Sequence, residues 1–196
     1  MLSWLVRRHF AEACGGHIEY SGILVQMSNT LYLLRHAKSS WENPSLADHD
    51  RPLASRGRRA LSVIADHLRR QRITPTLVLC SSSARTRETL ERISASLGDE
   101  IEVRIEEDLY TASANDLLDI LRDVDAGADS VMLIGHNPAL QDLALSLAAN
   151  GVDLGRLTEK FPTAALAALT FQCSWGGLTP GAAELVAFAT PRELAG

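Results

Sequence analysis

Three stretches of this chain are apolar without interruption and end abruptly in polar residues: Leu31-Tyr32-Leu33-Leu34, Leu77-Val78-Leu79-Cys80 and Val131-Met132-Leu133-Ile134. Short runs without alternation are the pattern of parallel strands buried on both faces. Between them the spacing turns helical. Leu61, Ile64, Ala65 and Leu68 recur at i, i+3, i+4 and i+7 behind Ser55, which reads as an N-cap. Leu90, Ile93 and Leu97 keep helical spacing with Thr86, which puts Arg85 in the first turn of a helix that Gly98-Asp99 breaks. Ile101, Val103 and Ile105 then alternate with Glu102 and Arg104, a half-exposed strand toward a sheet edge with an acidic exit at Glu106-Glu107-Asp108. Ser113 caps a helix carrying Leu117, Leu121 and Val124. Leu140, Leu143, Ala144 and Leu147 form the inner face of the next, with Pro138 suited to its first turn. Residues 150–163 read as a loop. Two strands, 164–171 and 184–189, form a terminal hairpin around the Trp175-Gly176-Gly177 turn.

This alternation predicts an α/β fold of three α/β/α layers, with a mostly parallel central sheet and the terminal hairpin at its edge. There is no internal repeat, low-complexity tract or second domain, and 196 residues are enough for one sizeable core. Residues 1–26 carry no clear periodicity, and Met27 immediately precedes the first strand. The domain proper is therefore placed at 27–196. Residues 1–26 are set aside as an extension, either disordered or a misassigned start, and their Arg8-His9 pair follows no strand.

Composition narrows the function classes. A formal net charge of -5 argues against general nucleic-acid binding, which needs a basic face. Cys14, Cys80 and Cys173 are odd in number and far apart, which fits a reducing cytoplasm and neither a disulfide scaffold nor a zinc site. No apolar run approaches the ~18 residues a bilayer crossing needs. The opening residues place their charges after a very short apolar segment, the reverse of a secretory signal. The expectation is a cytoplasmic protein with no membrane partner, and a monomer is favoured.

Chemistry gathers at the strand exits. The first carries Arg35-His36, the second leads through Ser81-Ser82-Ser83 to Arg85, and the third carries His136. In open α/β sheets the carboxyl ends of strands are where ligands bind. A guanidinium fork matches phosphate oxygens two at a time, and a helix N-terminus beside Arg85 adds its own positive end. Taken singly, each of these residues also reads as a solvated or structural side chain. Together, two arginines and two histidines at one sheet edge suit a tetrahedral dianion. No phosphate-binding G-x-x-x-x-G-K-[ST] loop and no dinucleotide G-x-G-x-x-G is present. No acidic cluster has metal-ligand spacing, so neither a cofactor nor a metal is expected.

The ordered set Leu34-Arg35-His36-Ala37-Lys38-Ser39 with Trp41, Asp50-Arg51-Pro52-Leu53 leading to Arg56-Gly57, Ser81 through Arg85-Thr86 to Thr89, Gly135-His136-Asn137-Pro138 and Lys160-Phe161-Pro162-Thr163-Ala164 resembles the histidine phosphatase superfamily, with its phosphoglycerate-mutase-like fold. The likeness spans about residues 30 to 192 and is greatest to the small SixA-type phosphohistidine phosphatase branch. It implies His36 as the nucleophile that takes the phosphoryl group, Arg35 and Arg85 as phosphate clamps, and His136 as the second pocket histidine. Ser39 and Asn137 are further candidate phosphate ligands. The superfamily's R-H-G triplet is Arg35-His36-Ala37 here, and its common Ser-Pro is Ser81-Ser82. Larger relatives place a general acid after the sheet's third segment, where this chain offers Glu107 or Asp108, each of which equally suits a solvated strand exit.

The implied activity is a metal-independent phosphatase with a phosphohistidine enzyme intermediate, acting on phosphohistidine in proteins. The stretch between Arg85 and His136 is too short for a large capping insertion, which favours a side chain protruding from a protein. The alternative is a small-molecule phosphate-ester phosphatase taking a phosphorylated metabolite of the sugar-phosphate type. A non-catalytic phosphoprotein-binding module would need the arginines but not the histidines.

Overall fold

A computed structural model of the protein describes residues 28–99 and 101–196, together with the backbone of 17–20 and 23–26. Arg8, His9 and Cys14, singled out above, lie outside the described residues. The two N-terminal segments, β1 (His17–Tyr20) and β2 (Ile23–Gln26), pair antiparallel in a small sheet of their own.

The main sheet has seven strands: β3 (Asn29–Arg35), β4 (Leu77–Ser81), β5 (Glu102–Glu106), β6 (Ser130–Gly135), β7 (Ala148–Gly151), β8 (Leu166–Phe171) and β9 (Ala183–Ala189), in the order β5-β4-β6-β3-β8-β9-β7. The three uninterrupted apolar runs are its centre, and β5, β4, β6 and β3 are mutually parallel. Strand alternation divides their side chains between two cores. Leu31, Leu33, Leu79 and Leu133 point to one face, where they meet α3 (Ala114–Arg122), α4 (Ala139–Leu147) and α5 (Leu154–Glu159). Leu34, Val78, Cys80 and Ile134 point to the other, against α1 (Ser55–Gln71) and α2 (Ala84–Ile93). A sixth helix, α6 (Pro191–Leu194), packs on α1. Three layers result, as the alternation required.

Five details differ from the sequence reading. The terminal hairpin β8-β9 is one strand in from the edge, because Ala148–Gly151 extends and pairs parallel with β9. That strand and α5 occupy much of the segment read as a loop; Ala148 and Asn150 carry too little apolar pattern to announce a strand. Ser55 is the first residue of α1 and Ala54 precedes it without a side-chain cap, whereas Ser113 does close a capping box with Asp116. Pro138 stands at the N-cap of α4 and not inside its first turn. Val103 and Ile105, on the edge strand β5, are each 47% exposed, so their alternation marks no buried face. No helix among the described residues is long and apolar enough to cross a membrane.

Candidate active site

Because β4, β6 and β3 are adjacent and parallel, their carboxyl ends open side by side, and β8, running antiparallel to β3, starts at the same edge. The chain leaving β3 is held there by backbone bonds. His36 N–H donates to the Gly135 carbonyl at 3.1 Å and Arg35 N–H to Ala165 at 3.1 Å. Ala164 N–H lies 3.0 and 3.1 Å from the carbonyls of Arg35 and His36. To reach both, Ala164 takes a left-handed backbone (φ 61°), a conformation unfavourable for a residue with a Cβ and often found near functional sites.

His36 is buried, and its Nδ1 donates to the Ala37 carbonyl at 2.7 Å. That bond fixes the tautomer and leaves Nε2 with the lone pair, the arrangement a nucleophilic imidazole needs. Burial, then the charges of Arg85 and Arg35, lower its pKa to about 4, against the opposing pull of the Ala37 carbonyl and Asp48. The ring is therefore neutral at pH 7. His136 lies beside it, with ring centroids 5.1 Å apart, and burial followed by His36 and Arg85 lowers its pKa to about 3. Ser81 Oγ shares a 2.8 Å hydrogen bond with His136 Nε2, and Nδ1 is buried without a partner. With the hydroxyl as donor, the ring proton sits on Nδ1, free to meet a phosphate oxygen.

The two arginines are oriented separately. Arg35 donates from one guanidinium nitrogen to the Phe161 carbonyl at 2.7 Å, while its buried Nε has no partner. Arg85 is the second residue of α2. The approach to it, where Ser82 replaces a proline, is ordered by hydroxyls: Thr86 Oγ1 donates to the carbonyl of Ser81 or Ser83, at 2.7 and 2.8 Å, and lies 2.7 Å from Ser83 Oγ. Thr89 Oγ1 accepts from Ala37 N–H at 3.1 Å and so ties α2 to the residue after His36.

Residues 37–54 fold as a loop with a pinched neck. Ser39 and Leu53 form an isolated antiparallel bridge, Ser40 N–H donates to Pro52 at 2.8 Å, and Ala54 N–H donates to Lys38 at 2.8 Å. At the neck Gly57 is indispensable, since a Cβ there would stand 2.4 Å from the Lys38 carbonyl oxygen. Inside the loop the Arg51 guanidinium stacks 3.5 Å from the Trp41 ring. Its short helical turn, Asp48–Asp50, bends back over the site. Arg85 donates to the Asp48 carbonyl oxygen at 2.5 Å and to its Oδ2 at 2.9 Å, and the Tyr110 hydroxyl donates to the same Oδ2 at 2.9 Å. Tyr110 also stands edge-on to His136 and to His49, whose Nε2 is 3.0 Å from Ser82 Oγ.

The four strand-exit residues named from sequence thus come together, and the two weaker phosphate candidates are placed differently. Asn137 spends its Nδ2 on Gln141 (3.1 Å) and on the Phe161 carbonyl (3.2 Å), next to Arg35. Ser39 serves the loop neck through its backbone. The Glu107 and Asp108 side chains are exposed and make no hydrogen bond or ion pair among the described residues. The sequence reading missed Asp48, Tyr110 and the role of Ser81. Asp48 lies two residues before the Asp50-Arg51-Pro52-Leu53 run noted above, and only the fold reveals that it reaches Arg85.

Residues 31–120 match the model of the histidine phosphatase superfamily (branch 1). The uncharacterized protein Rv1276c of Mycobacterium tuberculosis is 37% identical over 163 residues, covering 81% of this chain and 100% of the relative. The SixA structure from Agrobacterium tumefaciens superposes with a TM-score of 0.72 at 30% identity, over 83% of this chain and 98% of that one. For SixA from Nakamurella multipartitia the TM-score is 0.72 at 28% identity, over 84% and 96%. Ordered motifs, fold and a histidine pair between arginines agree with these likenesses, and the chain belongs to the histidine phosphatase superfamily, as a phosphatase of its SixA-type branch.

Proposed function

We propose that the protein removes phosphoryl groups from phosphohistidine side chains of proteins, through a phosphohistidine intermediate on His36. The observation that carries the intermediate is the His36 geometry: Nδ1 is committed to Ala37 and the ring is held neutral between two arginines. The Nε2 lone pair attacks phosphorus, the bond to the leaving group breaks, and its electron pair departs with that group. Arg35, Arg85 and His136 stabilise the charge on the three equatorial oxygens during both transfers. Water then attacks the phosphoenzyme, and the electron pair of the broken P–N bond returns to Nε2.

Two features support a P–N substrate on a protein. Between Arg85 and His136 the chain contributes the rest of α2, short turns, β5, α3 and β6, with no inserted cap to enclose a small molecule. The candidate acids Glu107 and Asp108 are exposed, and the hydrogen bonds of Arg35 and Arg85 go to Phe161 and Asp48 instead. An alkoxide leaving group needs a proton from an acid, help worth ~10²–10⁴ in rate, whereas a ring-protonated phosphohistidine departs as neutral imidazole. The test is kcat/KM on a histidine-phosphorylated protein against alkyl phosphates, with acid-labile radiolabel trapped on wild-type protein and absent from His36→Ala. Faster turnover of a sugar phosphate overturns the substrate reading, and label trapped on His36→Ala overturns the intermediate.

A further inference from the structure

Asp48 holds a position that the two-step chemistry above does not use. Its carboxylate is fixed on the phosphate clamp itself, by Arg85 at 2.9 Å and by the Tyr110 hydroxyl at 2.9 Å, with an Arg51 nitrogen 3.8 Å from its other oxygen. Burial works against ionisation, but the Tyr110 hydrogen bond and Arg85 outweigh it and hold the carboxyl below its usual range. An anion there is the wrong partner for a second anion and cannot give a proton to an alkoxide. It is the right partner for a cation arriving with the phosphate. Arg85 spends two of its five N–H donors on Asp48, so the clamp is not used up by this contact.

We propose that Asp48 is the specificity-determining residue of this phosphatase, its carboxylate accepting a hydrogen bond from the distal ring N–H of a protonated phosphohistidine. The inference rests on the phosphohistidine reading given above. In the transfer step His36 Nε2 bonds to phosphorus, the substrate P–N bond breaks, and its electron pair goes to the substrate ring nitrogen. The ring keeps its distal proton and leaves as neutral imidazole. Asp48 takes no proton; it favours the ring-protonated form in which the P–N bond breaks readily. Tyr110 acts through Asp48 and is a positioning residue.

The decisive experiment compares kcat and KM of wild type, Asp48→Asn and Tyr110→Phe on a histidine-phosphorylated protein and on p-nitrophenyl phosphate, an ester whose leaving group needs no acid. In Asp48→Asn the ratio of kcat on phosphohistidine to kcat on the ester falls about tenfold, as expected for one lost charge-assisted hydrogen bond. Inhibition by inorganic phosphate tightens at the same time, because Arg85 is released. Tyr110→Phe moves the ratio in the same direction by a smaller factor, and supplies the test if Asp48→Asn fails to fold. Equal losses on both substrates, or weaker inhibition by phosphate, overturn the role of Asp48 while leaving the phosphohistidine reading intact. Wild-type protein that cleaves the ester but not phosphohistidine overturns the substrate reading, and this proposal with it.

Discussion

Asn137 and Arg35 donate to one acceptor, the carbonyl oxygen of Phe161, at 3.2 and 2.7 Å. Asn137 also fixes Gln141, whose amide reaches the carbonyl of Leu157 or Thr158, at 2.9 and 3.1 Å. The clamp is thereby positioned by a segment from α5 and by the turn after β6. Asn137→Ala is expected to loosen Arg35 at a cost of about 0.5–1.5 kcal/mol, the net worth of one hydrogen bond. Steady-state kinetics should show a raised KM with a smaller change in kcat. An unchanged KM would show that Arg35 holds its place unaided.

The histidine pair makes stability depend on pH. His36 and His136 have folded pKa values of about 4 and about 3, against the unfolded value of ~6.5. Between pH 6.5 and 4 the unfolded chain therefore binds more protons, so stability falls as the pH drops through that window. Each histidine contributes up to about 1.4 kcal/mol per pH unit. Urea midpoints measured at pH 7, 6 and 5 should decline, and His136→Gln should flatten the decline.

Replacing either arginine removes a charge from the transition state. Arg35→Ala and Arg85→Ala should each lower kcat/KM by roughly 2.7–4 kcal/mol of lost stabilisation, or more because the groups are charged. Since side-chain cations supply the neutralisation, EDTA should leave wild-type turnover intact. Loss with EDTA and recovery with a divalent metal would overturn that account.

Gly57→Ala tests the loop neck. A methyl at 2.4 Å from a backbone oxygen must push either α1 or the Lys38 peptide aside, and overpacking of this kind costs about 1–3 kcal/mol. Thermal unfolding should show the loss as a lowered midpoint.

The central sheet was legible because β3, β4 and β6 are buried on both faces and their apolar runs have no competing pattern. Arg35, His36, Arg85 and His136 were legible because each stands within a few residues of the end of such a run. What escaped is placed by long-range geometry. Ala148–Gly151 becomes a strand only because β9 offers it an edge. Asp48 and Tyr110 lie 62 positions apart, in segments whose local spelling is that of ordinary polar loops, and meet only when Arg85 stands between them. Glu107 and Asp108 follow β5 as expected, but that strand is one place further from His36 than β4, and their side chains remain in solvent.

The left-handed turn at Ala164 also has a consequence for the order in which the protein is made. His36 directly follows the first strand of the main sheet, yet its carbonyl and that of Arg35 are anchored by an N–H from a residue 128 positions further on. Contacts of such separation close late, after the local helices and the β3-β4-β6 pairings are available to support them. A chain emerging from the ribosome therefore passes through lengths at which it already carries His36, Arg85 and His136 but lacks the β8 segment that closes the clamp. Such a nascent chain has the groups of the site without their arrangement. The arrangement arrives with the segment from Ala164 onward, when the hairpin docks beside β3.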